Sequence, residues 1–323
     1  MRDFDLAYPK DVTAAFAAHG GDGAYIAGGT DLMQLLKDDV EAPRRVVDLD
    51  AGALSDRIAS DSQGLRIGAG AKMSDVAAHP AVLRDYPVVA QALLASASPQ
   101  VRNMASVGGN LLQRTRCGYF RDTGFPCNKR VAGSGCPAIP GENRMHAILG
   151  GSDQCVATSA SDLAVSLVAM DAMLDLHGPQ GARQVRLADF HVTPGQTPQR
   201  ETVLRQGEII AAIRLPATGW LRRSAYLKVR DRATFEWAVV SAAVALDVKD
   251  GHIQDARVAL GGVGTKPWRS PEAEAALRGQ AAGAAAFTAA ARVAVRDARP
   301  LRGNGFKVVL VQRAMVRALT TLV

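Results

Sequence analysis

The segment from Arg114 to Gln154 restricts the fold of this chain more than any other stretch of its sequence. It shows the apolar periodicity of neither a helix nor a strand, and it is rich in Gly, Pro, Arg and Cys. A compact domain seldom carries a loop of about forty residues without a functional reason. A bound metal centre could replace the missing apolar core, because metal binding contributes directly to folding.

The cysteines favour such a centre. Cys117, Cys127, Cys136 and Cys155 lie within 39 of the 323 residues, in the pattern C-x9-C-x8-C-x18-C. This pattern lacks both the C-x2-C pair of zinc ribbons and the tight spacing of bacterial ferredoxins. The spacing therefore leaves four alternatives open: an iron–sulfur cluster, tetrahedral zinc, two disulfides, or four unrelated thiols. Disulfides are less favoured than a metal, because a protein of this size does not need them to fold.

Cationic side chains surround the first two cysteines in the sequence. They are Arg114, Arg116, Arg121, Lys129 and Arg130. Positive charge close to a thiol lowers its pKa and would offset the negative charge of a thiolate-bound cluster. We therefore expect these cysteines to have lowered pKa values.

Two glycine turns share one design, I-A-G-G-T-D-L at Ile26–Leu32 and A-S-V-G-G-N-L at Ala105–Leu111. Paired glycines allow backbone N–H groups to converge on an anion, and a nearby helix N-terminus adds positive potential. Two such turns facing each other would suit a dinucleotide pyrophosphate, although either pair alone could be a plain turn. The string beginning at Gly68-Ala69-Gly70 has Met73 where the G-x-G-x-x-G motif requires its last glycine, which excludes a Rossmann site.

The rest of the chain alternates short strands and helices, and its first sixty residues are predicted to form small β-α units. A serine–aspartate cap at Ser161-Asp162 predicts a helix start, and Pro216 with Gly219 predicts a domain boundary near Leu215–Leu221. The predicted strands include Ala24–Ala27, Val46–Leu49, Leu65–Ile67, Met173–Leu176, Glu208–Leu215, Ala225–Val229, Val239–Val248 and Ile253–Leu260.

Composition excludes several classes of protein. With 48% hydrophobic residues, the chain is typical of a globular protein, and no apolar run is long enough to predict membrane insertion. Its first residues lack a signal-peptide pattern, so the chain made alone is expected in the cytoplasm. The net charge of +7 is scattered among acidic residues, without the aromatic-bearing basic block of a nucleic-acid platform.

Several strings resemble the FAD-binding subunit of the xanthine oxidase family of molybdenum hydroxylases. The two glycine turns carry this similarity together with S-D-L at Ser161–Leu163, K-V-R-D-R at Lys228–Arg232 and V-A-L-G-G-V at Val258–Val263. Within the family, N-L-L-Q-R-T-R-C (Asn110–Cys117), P-C-N-K-R (Pro126–Arg130) and G-S-G-C (Gly133–Cys136) resemble the flavoprotein subunit of bacterial periplasmic aldehyde oxidoreductases.

The resemblance implies the architecture in more detail. Residues 1–218 would form a vanillyl-alcohol-oxidase-type, PCMH-like FAD-binding domain in two α+β parts, about 1–58 and 59–218. The second part would carry the cysteine-rich insertion, residues 114–155. Residues 219–323 would form a C-terminal α+β flavoprotein domain with an antiparallel sheet and helices.

The resemblance also implies the cofactor ligands. All four cysteines would bind a [4Fe-4S] cluster. Ile209 and Ile210 would line the isoalloxazine ring, and Lys228 would approach it, where a cation stabilises reduced flavin. The full set of implied FAD contacts is Ile26, Ala27, Gly28, Gly29, Thr30, Asp31, Leu32, Ala105, Ser106, Gly109, Asn110, Ser161, Asp162, Ile209, Ile210 and Lys228. Gln113 stands where many family members have a small hydroxyl residue, and it receives no role.

The function implied by the resemblance is electron transfer within a molybdenum-containing aldehyde oxidoreductase. A large subunit with a molybdenum cofactor would oxidise the substrate, and a small subunit with two [2Fe-2S] clusters would pass electrons to FAD in this chain. An external acceptor would then receive them. The assembly would be a heterotrimer or its dimer, and a signal on a partner could carry it to the periplasm. The six histidines form no nucleophilic motif, so no catalytic residue is predicted.

Two functions of other classes remain open from the sequence. A free-standing FAD oxidase or reductase would turn over its own substrate. A zinc-stabilised binding protein would be colourless. A visible spectrum with iron and zinc analysis distinguishes all three.

Overall fold

The computed structural model describes residues 1–50 and 52–323 and contains three sheets that follow one another along the chain. The N-terminal sheet is parallel, whereas the strand pairs of the other two sheets are antiparallel. Helices accompany every sheet, so the α+β prediction is confirmed. Among the described residues, no helix combines the length and the apolar character needed to cross a bilayer.

The N-terminal unit is a three-stranded sheet with two helices. Asp11 caps the first helix by accepting the Ala14 N–H at 2.8 Å, and Gly20 ends it in the left-handed conformation. Ala15, Val47 and Leu49 form the small core beneath it. The elements are β1 (Asp5–Ala7), α1 (Val12–His19), β2 (Ala24–Ile26), α2 (Leu32–Lys37) and β3 (Arg45–Asp48), with strand order β1-β3-β2. Strand β2 leads directly into the first glycine turn.

The second unit is a five-stranded sheet covered by helices. Its strands are β4 (Ile58–Asp61), β5 (Gly64–Gly68), β6 (Met173–Gly178), β7 (Gly181–Arg186) and β8 (Ile209–Pro216), in the order β4-β5-β8-β6-β7. Its helices are α3 (Met73–Ala78), α4 (Pro80–Asp85), α5 (Pro87–Ala95), α6 (Pro99–Met104), α7 (Val107–Leu111), α8 (Gly118–Arg121), α9 (Asp162–Ala169) and α10 (Leu187–Phe190). Ser161 caps α9, as predicted, by accepting the Ala164 N–H at 3.0 Å.

The third unit is a four-stranded sheet, order β12-β11-β10-β9, packed against three helices. Its elements are the 3-10 helix Gly219–Arg222, β9 (Ser224–Val229), β10 (Val240–Lys249), β11 (His252–Gly261), β12 (Trp268–Arg269), α11 (Pro271–Leu277), α12 (Ala284–Val293) and α13 (Phe306–Thr320). Alternate residues of β10 face opposite sides. Val244 and Leu246 join the core beneath the C-terminal helices, whereas Ala243 and Ala245 join the core of the second unit. The two units therefore share a packed boundary.

Residues 114–155, which we call the cysteine segment, have little regular structure, as predicted. Helix α8 is their one helix, and turns and isolated bridges make up the remainder of this fully described segment. The segment nevertheless packs against its neighbours, because Phe120, Ala138 and Ile148 are each about 1% exposed. It is therefore an ordered insertion between α7 and α9.

Lys307, near the start of α13, is fully buried and helps to hold the end of the cysteine segment. Its Nζ donates to the carbonyl oxygens of His146 at 3.1 Å and Gly262 at 2.7 Å. Burial lowers the pKa of Lys307 to about 7 from its usual 10.5. The folded chain therefore binds this proton less tightly than the unfolded chain does.

We expect this lysine to make stability rise with pH. Between about pH 7 and pH 10.5 the unfolded chain binds more protons, so the free energy of unfolding increases as protons are withdrawn. From pH 7 to pH 9 the wild-type protein should gain about 2 kcal/mol relative to Lys307→Met. Urea denaturation at several pH values measures this difference. Parallel pH profiles for the two proteins would contradict the assignment.

Candidate functional site

A cleft of about 670 Å³ opens between the N-terminal unit and the second unit, within the size range of cofactor pockets. We call it the glycine-turn cleft, because both predicted turns line it. The predicted site residues on its wall are Ile26, Ala27, Gly28, Gly29, Thr30, Asp31, Leu32, Ala105, Ser106, Gly109, Asn110, Asp162, Ile209 and Ile210. The fold therefore brings together residues from four separate parts of the sequence.

The first turn offers unpaired donors to this cleft. The backbone N–H groups of Gly28, Gly29 and Thr30 donate to no acceptor among the described residues. Gly29 has a φ of +68°, a conformation that favours glycine. Backbone N–H groups without a protein partner need another acceptor, and several neighbouring ones form an anion site. The first turn thus fits a pyrophosphate.

The second turn differs from the prediction, because its N–H groups are already used. The Gly108 N–H donates to the Ala69 carbonyl at 2.9 Å, and the Gly109 N–H donates to Ser106 Oγ at 3.2 Å. Ser106 acts as the N-cap of α7. This turn contributes a wall and the Asn110 side chain, whose Oδ1 accepts from Ser161 Oγ at 2.7 Å.

The two turns touch each other. A Cβ added at Gly28 would lie 1.9 Å from the Met104 carbonyl oxygen, and one added at Gly108 would lie 2.8 Å from Ala69 Cβ. Both distances are shorter than any real contact. Glycine at these two positions is therefore required by the neighbouring backbone and side chain, independently of any ligand.

A buried polar network closes one end of the cleft around Asp162. Its carboxylate accepts from Lys228 Nζ at 2.8 Å, Tyr226 OH at 2.5 Å and Ser96 Oγ at 3.0 Å. Lys228 also donates to the Ala95 carbonyl at 3.1 Å and lies behind Asp162 rather than on the cleft wall. Burial and Asp162 raise the pKa of Tyr226 well above its usual value. Lys228 could therefore influence a bound isoalloxazine ring only indirectly, through its ion pair with Asp162.

The apolar wall of the cleft includes both predicted isoleucines and side chains that the sequence did not single out. Ile209 and Ile210 are each 3% exposed. Tyr25, Leu49, Leu54, Phe235 and Trp237 also line the cleft. Tyr25 lies in β2 and Leu49 directly follows β3, both of which were predicted from the sequence. Trp237, in contrast, comes from a loop of the third unit. Only the assembled fold reveals that Trp237 belongs here.

All four cysteines line a second, small cavity, which we call the cysteine cavity. Cys155 is buried, and the other three are partly buried. No pair among them forms a disulfide. Within residues 1–50 and 52–323, no three His, Cys, Asp or Glu side chains lie close enough together to hold one metal ion. The thiols therefore share a cavity without converging on a single point.

The predicted lowering of the thiol pKa is wrong for Cys117, the first of the two cysteines that the prediction concerned. Burial raises the pKa of Cys117 to about 12 and also raises those of Cys136 and Cys155. The neighbouring arginines offset this little, because carboxylates and backbone carbonyls engage them. Thiolates here would need another source of positive charge, which bound metal ions supply.

His146 makes the closest polar contact to this cavity. Its Nε2 lies 3.2 Å from Cys117 Sγ, and its Nδ1 is buried without a partner. Burial, followed by the charge of Lys307, lowers the pKa of His146 to about 4, so the ring is neutral. The tautomer that carries its proton on Nε2 donates to the sulfur. A hydrogen bond of this kind stabilises a thiolate.

A third cavity of about 710 Å³, the adjoining cavity, lies between the cysteine segment and the third unit. It shares Cys117 and Tyr119 with the cysteine cavity. It shares Arg116, Asp162 and Trp237 with the glycine-turn cleft. The adjoining cavity therefore shares wall residues with each of the other two cavities, and the neighbouring residues Arg116 and Cys117 belong to these shared walls.

Two family models match this chain and together span most of it. One describes an FAD binding domain in molybdopterin dehydrogenase and matches residues 2–218. The other describes a CO dehydrogenase flavoprotein C-terminal domain and matches residues 225–322. The first model alone covers more than half of the chain.

Individual relatives agree with these matches. The chain is 46% identical to the aldehyde oxidoreductase FAD-binding subunit PaoB of Escherichia coli, over 95% of this chain and 93% of the relative. It is 27% identical to the carbon monoxide dehydrogenase medium chain of Hydrogenophaga pseudoflava, over 98% and 96% of the two chains. In fold it is similar to reconstituted CO dehydrogenase from Oligotropha carboxidovorans, with a TM-score of 0.76, 22% identity, and 99% and 97% coverage.

Proposed function

The chain belongs to the FAD-binding subunits of the xanthine oxidase family of molybdenum hydroxylases, and from that premise we propose that it transfers electrons within an aldehyde oxidoreductase. A small [2Fe-2S] subunit would deliver the electrons, and an external acceptor would remove them. A large subunit with a molybdenum cofactor would oxidise the aldehyde. The three subunits would form a heterotrimer or its dimer.

The observation that carries this proposal is a cofactor-sized cleft whose first turn has free N–H groups and whose wall is shared with the adjoining cavity. FAD can accept electrons singly and release them as a pair, which suits a subunit placed between one-electron and two-electron partners. The free N–H groups of the first turn would hold its pyrophosphate, and Ile209 and Ile210 would exclude water from its ring. The adjoining cavity would give an external acceptor access to both the cleft and the cysteine side.

We also propose that the cysteine cavity would hold a [4Fe-4S] cluster as a second centre. Four thiolates form a complete ligand set for either tetrahedral zinc or a cluster. Zinc requires four sulfurs about 2.3 Å from one point, whereas a cluster holds each thiolate on a different iron atom. The four cysteines line one cavity, which is the arrangement that a cluster bound by four thiolates requires. In the tautomer that carries its proton on Nε2, His146 would donate to Cys117 Sγ and stabilise a bound thiolate.

Proposed domain limits are residues 1–218 for the FAD-binding domain, with parts at about 1–58 and 59–218, and 219–323 for the C-terminal domain. The proline-bearing end of β8 at Pro216 and the 3-10 helix at Gly219–Arg222 support a boundary there. The shared core across β10 indicates that the two domains would move as one body. Electron transfer across their junction would therefore occur at fixed distances.

The visible spectrum and metal content of the purified, anaerobically prepared protein test this function. We expect yellow flavin together with about four iron atoms per chain and no stoichiometric zinc. Aldehyde should bleach the flavin only when the two partner subunits are present. Turnover by the isolated chain would instead indicate a free-standing flavin enzyme, and a colourless zinc protein would indicate a binding protein.

A further inference from the structure

Asp31 lies within the first glycine turn, and its side chain contacts the cysteine segment. It occupies the N-cap position of α2 without making a side-chain cap. Its Oδ2 instead accepts the backbone N–H of Arg114 at 2.7 Å, and its Oδ1 accepts Arg121 Nη2 at 2.8 Å. Arg116 Nη1 lies 2.6 Å from the same Oδ1. All three partners belong to the cysteine segment, 83 to 90 residues away in the sequence.

These contacts are stronger than ordinary surface ion pairs. The side chains of Asp31, Arg116 and Arg121 are only 15–17% exposed, so water screens their charges weakly. Loss of one partner would leave a partly buried charge without compensation, which is costly.

The same contacts reach the third unit. The Arg116 guanidinium stacks over the Trp237 ring at 4.5 Å, and Trp237 lines both large cavities. A second pair, between Arg114 and Glu41, joins the cysteine segment to the residues that follow α2. Asp31 therefore ties the first turn to the cysteine segment, and Arg116 ties that segment to the loop before β10.

Asp31 also directly follows the turn residues whose N–H groups are free. The orientation of those N–H groups depends on the backbone at positions 28–30, which the anchored Asp31 side chain restrains. If the cysteine segment loosened, Asp31 would lose its three partners and the turn would lose this restraint. Linkage requires the reverse effect as well, because coupling between two sites is reciprocal.

We propose that Asp31 is a positioning residue that couples FAD binding in the glycine-turn cleft to the order of the cysteine segment. The inference rests on the proposed FAD contacts of the first turn, but not on which metal centre the cysteines hold. In this arrangement FAD binding stabilises residues 114–155, and loosening of these residues weakens FAD binding. The chain would thus keep bound FAD and an ordered cysteine segment together, or lose both.

Hydrogen exchange of the full chain tests this coupling, with FAD itself as the probe. In the wild-type protein, saturating FAD should slow exchange of the amides in residues 114–155 about tenfold. In Asp31→Asn, at an FAD concentration that still saturates the cleft, the protection should fall below about twofold. Arg121→Gln removes the pair from the other side and should give the same loss, which covers the case that Asp31→Asn fails to fold.

Asp38→Asn is the matched control, since it makes the same charge change at the rim of the cleft. Within the part of the chain that the structure describes, the Asp38 carboxylate makes no hydrogen bond or ion pair to the cysteine segment. This variant should keep the wild-type protection. Equal protection in wild type, Asp31→Asn and Arg121→Gln would overturn the inference. Iron analysis of the same samples separates the proposed cluster from the proposed coupling. A wild-type protein that contains no iron, but whose residues 114–155 are still protected by FAD, would refute the cluster and retain the coupling.

Discussion

Replacing Gly28 with Ala should weaken FAD binding by roughly 10- to 100-fold while leaving the chain folded. The new methyl group would lie 1.9 Å from the Met104 carbonyl oxygen and 2.6 Å from its carbonyl carbon. The first turn must move away from the second turn to relieve this overlap. Such overpacking costs about 1–3 kcal/mol, and the displacement moves the free N–H groups of the first turn away from the pyrophosphate.

Titration of the flavin-free chain with FAD measures this effect, and circular dichroism verifies that the variant is folded. Gly305→Ala is the control, because a Cβ there meets no atom within 4 Å and the residue has right-handed helical backbone angles. The control should bind FAD as the wild-type protein does. A folded Gly28→Ala variant with unchanged FAD affinity would show that the contact between the two turns does not shape the cofactor site.

Replacing Cys127 with Ser should remove most of the iron, from about four atoms per chain to less than one. Cys127 is partly exposed, so the smaller, harder oxygen ligand should disturb packing little while weakening the bond to iron. Because Asp31 joins the cysteine segment to the first turn, FAD affinity should also fall several-fold. Iron analysis, electron paramagnetic resonance and FAD titration of the same preparation measure both effects.

The same variant distinguishes two roles for the metal centre. Loss of FAD and of subunit assembly would indicate a structural brace, whereas retained FAD with slowed reduction of the acceptor would indicate an electron relay. Val131→Ala is the control in the same segment, because Val131 is 64% exposed and carries no sulfur. It should retain iron and flavin. Wild-type iron content in Cys127→Ser would remove this cysteine from the ligand set.

Much of the architecture was predictable because it depends on short-range patterns. Strand β10 alternates its faces with a period of two, α9 begins at a serine cap, and β2 ends at a glycine pair. Each of these signals involves only a few neighbouring residues, so it can be recognised in the sequence without knowledge of the fold. The clustering of the cysteines was equally visible, since 39 residues hold all four.

The electrostatics of the site could not be predicted in the same way. A count of arginines near the cysteines predicted lowered thiol pKa values, but burial raises the pKa of Cys117. Asp31 from another segment and carbonyl oxygens of the cysteine segment itself engage those arginines. Lys228 was expected at the flavin ring, yet Asp162, 66 residues distant in sequence, holds its ammonium group. Proximity in the sequence does not reveal which residue will form an ion pair with a given charged side chain.

The sequence by itself determined eight of the twelve strands that the structure describes, the two glycine turns and the loop that carries the cysteines, because local backbone preferences and side-chain periodicity encode them. The tertiary structure alone decided that only the first turn keeps free N–H groups, that Asp31 faces the cysteine segment, and that His146 contacts Cys117. These contacts join residues that lie 29 to 90 positions apart. They depend on which surfaces become buried together, and burial also sets how strongly each charge and hydrogen bond acts.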